Sequence, residues 1–438
     1  MGIADDFQTF LDNIKVNNEA SISLRYGEIT AALNKKFRDT DSKTANSLQV
    51  GSYGRWTAIK GISDLDMIYV VPAGKWDTYK DNGHYALLRD IKDAIKARYP
   101  STTVKVDRLV VQVLYTDFHI EVMPAFRQLD GSYKYPDTAK GGSWKITKPH
   151  AELDEMTLAN ARKNRNLRRL CKMTRAWKNK HGVAMGGLLI DTLAYNFLES
   201  TDTYDTKSYL YYDFMCRDFF KFLSEQPKQS EYAALGSRQR VRVKKRFEKE
   251  AKKAHELCLK AIEANGQANE RQKWRDVFGN GYPAPVSKSA NEAAFSKAVF
   301  RDTEEFIEDR FPVDVRYDMR IDCEVIQNGF RPTLLLDLLE RRGILRRKKR
   351  LRFFITDSSD LPPEVDIYWK VLNRGAEAER HDMIRGQIFR DSGSREQRES
   401  TDFHGDHRVE CYAVLNGVVV ARDGIRVPIS SEVDDNAT

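Results

Sequence analysis

Apolar residues recur near the helical period from Phe7 to Arg38, at Phe10, Leu11, Ile14, Ile22, Leu24, Ile29 and Leu33, which predicts helix over this stretch. The pattern changes at Ser47. Ser47 to Val50 reads as a short strand, a glycine-punctuated turn follows, and Leu65-Asp66-Met67-Ile68-Tyr69-Val70-Val71 is apolar and β-branched enough for a buried strand. Thr103–Val106, Leu109–Tyr115 and Phe118–Met123 predict further strands of the same sheet, the last one ended by Pro124. From Leu153 to Leu198, and again from Ser208 to Lys273, the pattern is mostly helical. Leu167, Leu170, Met173 and Trp177 form one apolar stripe among basic residues.

A loop with Gly279, Gly281, Pro283 and Pro285 covers Phe278 to Ser289, and a short helix from Glu292 to Phe306 is expected to close the helical lobe. Beyond it the period shortens. Arg350–Ile355, Glu364–Leu372, Arg408–Leu415 and Val418–Arg422 have strand length, with Asn416-Gly417 predicting a tight hairpin between the last two. Asp391–Asp402 is polar enough to be a mobile loop, and the chain is expected to fray from Ser430. The expected organisation is α+β: a core over residues 1–305, with its sheet over about 45–130 and a helical lobe over about 150–305, then a smaller β-rich domain over 306–438.

Composition narrows the class. With 438 residues, 41% hydrophobic and 31% charged, the chain suits a globular enzyme of two or three domains, and no run is long and apolar enough to span a bilayer. No membrane partner is expected. Met1 to Asp12 has no basic stretch followed by an apolar one, so no secretory signal is expected and the location is read as cytoplasmic. The five cysteines, Cys171, Cys216, Cys258, Cys323 and Cys411, are scattered and never form a C-x-x-C pair, which predicts reduced core thiols rather than disulfides or a zinc ribbon. The net charge of +8 points to anionic partners, and nucleotide phosphates satisfy it as well as a nucleic acid does.

The candidate chemistry lies around the first strands. Asp64 and Asp66 are two apart on a predicted strand and therefore project to one face. Paired carboxylates after a phosphate-approaching turn suit nucleotidyl transfer, in which two divalent cations neutralise a triphosphate and the leaving pyrophosphate. Mg²⁺ is the expected ion, with Mn²⁺ able to substitute. Asp117, His119 and Glu121 share a face if Thr116–Val122 is extended. Glu121, inside the strand between Ile120 and Val122, is favoured over Asp117 as the third ligand. Gly51, Ser52 and Gly54 can form a turn that brings backbone N–H groups and the serine hydroxyl to phosphate oxygens, and Arg55 and Lys60 could meet the triphosphate.

Gly51-Ser52-Tyr53-Gly54-Arg55, Ser63-Asp64-Leu65-Asp66-Met67-Ile68-Tyr69-Val70 and Ile120-Glu121-Val122-Met123-Pro124-Ala125-Phe126 together resemble the DNA polymerase β-like nucleotidyltransferase superfamily. More narrowly they are similar to the bacterial cyclic-oligonucleotide synthases related to cyclic GMP-AMP synthase and oligoadenylate synthetase, the CD-NTases of SMODS type. The likeness extends through Leu167–Lys180 and Met185–Leu198. It implies that Asp64, Asp66 and Glu121 hold two metals, that Ser52 contacts the donor phosphates, and that Arg175, ahead of Ala176-Trp177, grips the triphosphate. Glu at the third acidic position departs from the commoner Asp. Met185-Gly186-Gly187-Leu188 lacks the usual serine, so a phosphate contact at Gly187 would come from backbone N–H groups.

Arg320-Ile321-Asp322-Cys323-Glu324-Val325, Asp366–Gly375 and Arg385-Gly386-Gln387-Ile388 resemble the adenylyl/guanylyl and SMODS C-terminal sensor domain. That resemblance implies an activating ligand or protein partner there. Trp369 reads as a core residue rather than a base-stacking platform, and His381, His404 and His407 as solvent-facing rather than a metal site.

The family implies an enzyme that joins nucleoside triphosphates, ATP among them, into a cyclic di- or trinucleotide second messenger for antiphage signalling. Two other readings stand beside it: nucleotidyl transfer to an RNA, protein or small-molecule acceptor, and a non-catalytic nucleotide or nucleic-acid sensor. The third draws on the basic runs Arg238–Arg246 and Arg346–Arg350. If helical, the first would put Arg238, Arg242 and Lys245 on one face, as a solvated basic helix also does.

Overall fold

The computed structural model describes residues 2–61, 64–116, 118–285, 305–327, 331–341, 343–373, 378, 385–402 and 404–430. The chain divides into two compact units, Met1–Lys180 with Met185–Pro285, and His181–Ala184 with Val286–Thr438. In the first unit the amino-terminal periodicity becomes two helices, α1 (Ile3–Asn13) and α2 (Glu19–Arg38), because the polar Asn17-Asn18 pair interrupts the apolar run. Ile22, Ile29 and Leu33 of α2 are buried, whereas Leu24 is exposed. Leu24 follows Ile22 by two residues, which turns it to the far side of the helix.

The strands β1 (Ser47–Gln49), β2 (Asp64–Val70), β3 (Thr103–Asp107), β4 (Val110–Leu114) and β5 (His119–Arg127) form a sheet in the order β1-β2-β5-β4-β3. Only β2 and β5 run parallel among neighbours on that path; the other pairs are antiparallel. A single turn, α3 (Gly51–Gly54), joins β1 to the segment before β2. Leu65, Met67, Tyr69, Ile120 and Val122 bury one face of the sheet under α2 and a helix absent from the periodicity reading, which follows the turn α4 (Trp76–Tyr79) as α5 (His84–Arg98).

Pro124 does not end its strand. It sits within β5 opposite Tyr69, and β5 continues to Arg127. The β4 pairing stops at Val122 and the next pairing, to β6 (Tyr133–Asp137), starts at Phe126. Pro124 therefore lies where one side of β5 needs no N–H donor. A further strand, β7 (Ser143–Thr147), pairs with β6.

The helical lobe contains α6 (Pro149–Arg162), α7 (Asn166–His181), α8 (Gly187–Glu199), α9 (Tyr212–Ser224), α10 (Glu248–Glu263) and α11 (Glu270–Phe278). The stripe Leu167, Leu170, Met173 and Trp177 is buried along α7. The basic run after Arg238 is not helical. Arg240–Arg242 forms β9, paired with β8 (Glu231–Ala233), so Arg238, Arg242 and Lys245 share no helix face. Alternation in Arg-Val-Arg suits an exposed ribbon better than a helix.

The second unit begins its described part with α12 (Ile307–Arg310); the expected helix over 292–306 lies mostly outside the described residues. Two four-stranded antiparallel sheets follow. One has β10 (Arg320–Ile326), β11 (Thr333–Leu334), β12 (Arg350–Asp357) and β15 (Glu396–Ser400), with α13 (Leu335–Glu340) after β11. The other has β13 (Asp366–Leu372), β14 (Ile388–Arg390), β16 (Gly405–Leu415) and β17 (Val418–Ile429). Cys323, Phe353, Trp369, Val409, Cys411 and Val427 from both sheets enclose one core. Asn416 and Gly417 turn the hairpin with φ of 51° and 78°, the doubly positive pair that a tight two-residue hairpin needs.

The expected loop over Asp391–Asp402 contains β15, whose Glu396 and Glu399 engage Arg352 and Arg385. Polar residues can form a strand when their charges meet partners across the sheet. Trp369 is fully buried and its indole N–H donates to Asp391 Oδ1 at 3.1 Å, as a core tryptophan should. His407 is buried against Asn373, with 2.9 Å between Nδ1 and Oδ1, rather than facing solvent; His381 and Arg374-Gly375 lie outside the described residues. All five cysteines are free and buried. Among the described residues no helix is long and apolar enough to cross a membrane.

Candidate active site

The parallel pairing of β2 with β5 decides which polar residues meet. Asp64 stands beside His119 and Asp66 beside Glu121. Alternation does the rest: Leu65, Met67, Ile120 and Val122 enter the core, so the four polar side chains share the opposite face. One ligand atom each from Asp64, His119 and Glu121 lies within 4.8 Å of the others, a spacing that a single cation can span. Ser63 and the alternative third acid, Asp117, lie outside the described residues.

Asp66 is outside that tight group, and its carboxylate packs against the α carbon of Gly51. Gly51 has φ of +64°, and a Cβ there would overlap the Asp66 carboxylate. The turn is tied to β2 by the Val50 N–H donating to the Asp66 carbonyl at 3.0 Å, and is closed by the Thr57 N–H donating to the Ser52 carbonyl at 2.9 Å. Gly51, Ser52 and Asp66 are therefore adjacent. Glu121 is oriented by Gln112 on β4, whose Nε2 donates to Glu121 Oε1 at 3.0 Å and also to Asp107 Oδ2 at 3.0 Å. Gln112 lies opposite Glu121 in the antiparallel register, a polar position flanked by Val111 and Val113 that single-strand reading passes over.

Arg55 and Arg175, the expected triphosphate contacts, share one carboxylate partner. Both are buried and both pair with Asp191 of α8: Arg55 Nε lies 2.8 Å from Oδ2 and Arg175 Nη1 2.6 Å from Oδ1. Thr57 Oγ1 donates to the same Oδ2 at 3.1 Å, and Arg175 Nη2 donates to the Gly187 carbonyl at 3.1 Å. Burial alone would raise the Asp191 carboxyl, but Arg175 and then Arg55 pull it below its ordinary value. Glu152, 3.4 Å from Arg55, is pushed up by burial against the pull of that guanidinium. Asp191 ties the segment after the Ser52 turn to α7 and α8. A lone acid inside the apolar run Gly187–Leu193 was the signal in the sequence for such a buried tie.

A second group that periodicity missed lies on α7. Burial lowers the Lys172 ammonium, and Lys15, Arg168 and Arg175 lower it further by like-charge repulsion. Arg168 also donates from Nε to the Arg55 carbonyl at 3.0 Å, which sets this cationic cluster against the segment after Ser52. An anion placed there would relieve the repulsion.

Residues 1–160 match the Second Messenger Oligonucleotide or Dinucleotide Synthetase (SMODS) domain, and residues 301–430 match the Adenylyl/Guanylyl and SMODS C-terminal sensor domain. Among curated proteins none matches the chain. Similar solved structures include CdnC of E. coli MS115-1 in its complex with HORMA-deltaN, at 12% identity over 64% of this chain and 98% of that one, with a TM-score of 0.49. CdnC from the same source with ATP has 13% identity over 65% and 99%, TM-score 0.48. The CD-NTase CdnG of Bradyrhizobium diazoefficiens with GTP has 13% identity over 63% and 94%, TM-score 0.47.

Proposed function

We propose that this chain, whose residues 1–160 match the SMODS domain and 301–430 the C-terminal sensor domain, is a cyclic-oligonucleotide synthase of the CD-NTase kind that joins nucleoside triphosphates, ATP among them, into a cyclic di- or trinucleotide by a reaction that requires divalent metal. The observation that carries the metal-dependent part is the register of β2 and β5, which sets Asp64 and Asp66 beside His119 and Glu121 next to the Gly51-Ser52 turn. The donor set fits a divalent cation, with carboxylates from two adjacent strands and a tight cluster within 4.8 Å.

In this reading Asp64, Asp66 and Glu121 hold the metal, with Mg²⁺ or Mn²⁺ as the ion. Bound there, divalent cations supply charge neutralisation at the transferring phosphoryl group. Gln112 keeps Glu121 turned into the site. Gly51 allows the backbone to approach the donor phosphates, and the Ser52 hydroxyl and the N–H groups near Gly187 complete the contact. Lys172 and Arg168 offset the triphosphate charge. Arg55 and Arg175 act through Asp191, holding the turn and α8 in place. The product serves as a second messenger in antiphage defence, a role that the likeness to the SMODS domain implies, and the C-terminal domain receives the activating ligand or protein.

The test is chromatography and mass spectrometry of products made from all four triphosphates with Mg²⁺ or Mn²⁺, in the presence and absence of phage-infected cell extract. A phosphatase-resistant cyclic product that disappears in Asp64→Asn and Asp66→Asn supports the reading. Label transferred to a macromolecule with no small product would favour the acceptor-transfer alternative. Identical product profiles from the wild type and both variants would sink the proposal.

A further inference from the structure

We infer that His119 donates an imidazole nitrogen to the cation held by Asp64 and Glu121, and that this nitrogen tilts the site toward Mn²⁺ at the expense of Mg²⁺. The inference deepens the metal-dependent reading above and rests on it for the presence of the ion. It begins with the register: His119 is the direct neighbour of Asp64 across the parallel pair, so its side chain leaves the sheet on the acidic face. The three donor atoms fall within 4.8 Å of one another. Around an ion with bonds of about 2.1 Å, octahedral donors stand about 3 Å apart when cis and about 4.2 Å when trans, so a spread of 4.8 Å closes onto one cation once the side chains draw in by about half an ångström.

The placement of His119 suits a ligand better than a surface residue. It is only 7% exposed, so the ring is enclosed by protein on the acidic face rather than left in solvent. Its Nε2 stands 3.5 Å from Glu121 Oε1, longer than a well-formed hydrogen bond but suitable for two atoms sharing an ion. Glu121 Oε1 already accepts from Gln112, which steadies the carboxylate as an outer partner steadies a metal ligand.

The preference follows from donor chemistry. Mg²⁺ is hard, favours oxygen and sheds water reluctantly, so replacing one oxygen donor by an imidazole lowers its affinity relative to first-row transition ions. Mn²⁺ still accepts carboxylate and water readily and tolerates nitrogen, so it keeps the two acids and gains from the third donor. If His119 only hydrogen-bonded Glu121, the ion would be surrounded by oxygen and the preference would vanish.

The test is electron spin echo envelope modulation on the full chain loaded with one equivalent of Mn²⁺, unlabelled and with ¹⁵N-histidine. Nitrogen modulation that changes with the isotope, and that is lost in His119→Gln while Mn²⁺ remains bound, supports the inference. The Mn²⁺ to Mg²⁺ affinity ratio, read by titration calorimetry, should fall on the order of tenfold or more in that variant. Bound Mn²⁺ with no nitrogen coupling, or coupling that survives in His119→Gln, overturns it. Should His119→Gln fail to fold, the wild-type spectrum together with Asp64→Asn and Glu121→Gln still decides, because the coupling must disappear with either acid. If those two variants bind Mn²⁺ as the wild type does, the ion is elsewhere and the metal site of the proposed function falls with the inference; loss of binding without any nitrogen signal in the wild type removes the inference alone.

Discussion

Gly51 adopts a backbone conformation that costs a side-chain-bearing residue about 1 kcal/mol or more, and its α carbon abuts the Asp66 carboxylate. Gly51→Ala should therefore displace Asp66, lowering turnover on the order of a hundredfold while the protein stays folded, as steady-state product formation and circular dichroism would show. Asp64→Asn and Glu121→Gln remove ligands rather than shift them. Each should reduce product formation by more than about a hundredfold, since changing even an outer partner of a metal ligand costs about 10–100-fold. Neither should lower the melting temperature appreciably, because both carboxylates lie on the face opposite the apolar core and are only partly buried; a large drop in either variant would mark these acids as structural.

At the scale of elements, Asp191 is the tie that periodicity did not reveal. Asp191→Ala leaves Arg55 and Arg175 buried without their shared carboxylate, and breaking a buried pair in this way costs about 3–5 kcal/mol. The urea midpoint of the variant should fall accordingly. Glu410 of β16 has a comparable place in the second unit. It is buried, Tyr412 Oη donates to its Oε2 at 2.6 Å, and Arg422 lies 3.9 Å from its Oε1. The polar ends of β2 and β5 were readable from alternation alone, whereas Gln112 and Asp191 were not. Their importance comes from residues 9 positions away in one case and 136 in the other.

Across the whole molecule these acids set the response to pH. Burial raises the Glu410 carboxyl, but Arg422, Arg408 and Lys370 together hold it well below the ordinary range. Asp137, paired with Arg108 and Lys145, is depressed chiefly by its hydrogen bond from Arg108, and Asp191 is depressed as well. A folded-state value below the unfolded one means that the stabilisation is complete above the unfolded value, about 4, and is lost as pH falls from there through the folded values. The urea midpoint should thus hold steady between about pH 5 and 7 and decline below about pH 4; a protein equally stable at pH 3 and pH 7 would contradict these pairings. The +8 net charge is a weaker guide, because it is a sum over the chain, whereas the Lys172 cluster is a local concentration of charge.

By itself the sequence determined the α+β character, the strand carrying Asp64 and Asp66, the α7 stripe and the Asn416-Gly417 hairpin, because each depends on the spacing of residues close together in the chain. It could not determine that β2 lies parallel to β5, that Pro124 is tolerated in β5, or that Arg240–Arg242 is a strand rather than part of a helix, since hydrogen-bond partners decide these. The pairing of Arg55 and Arg175 with Asp191 is likewise tertiary. A guanidinium that folding buries needs a carboxylate to offset its lost hydration, and only folding shows which carboxylate that is. The same holds for His119: alternation puts it on the acidic face, but only the register of two strands distant in sequence brings its nitrogen within 4.8 Å of both Asp64 and Glu121.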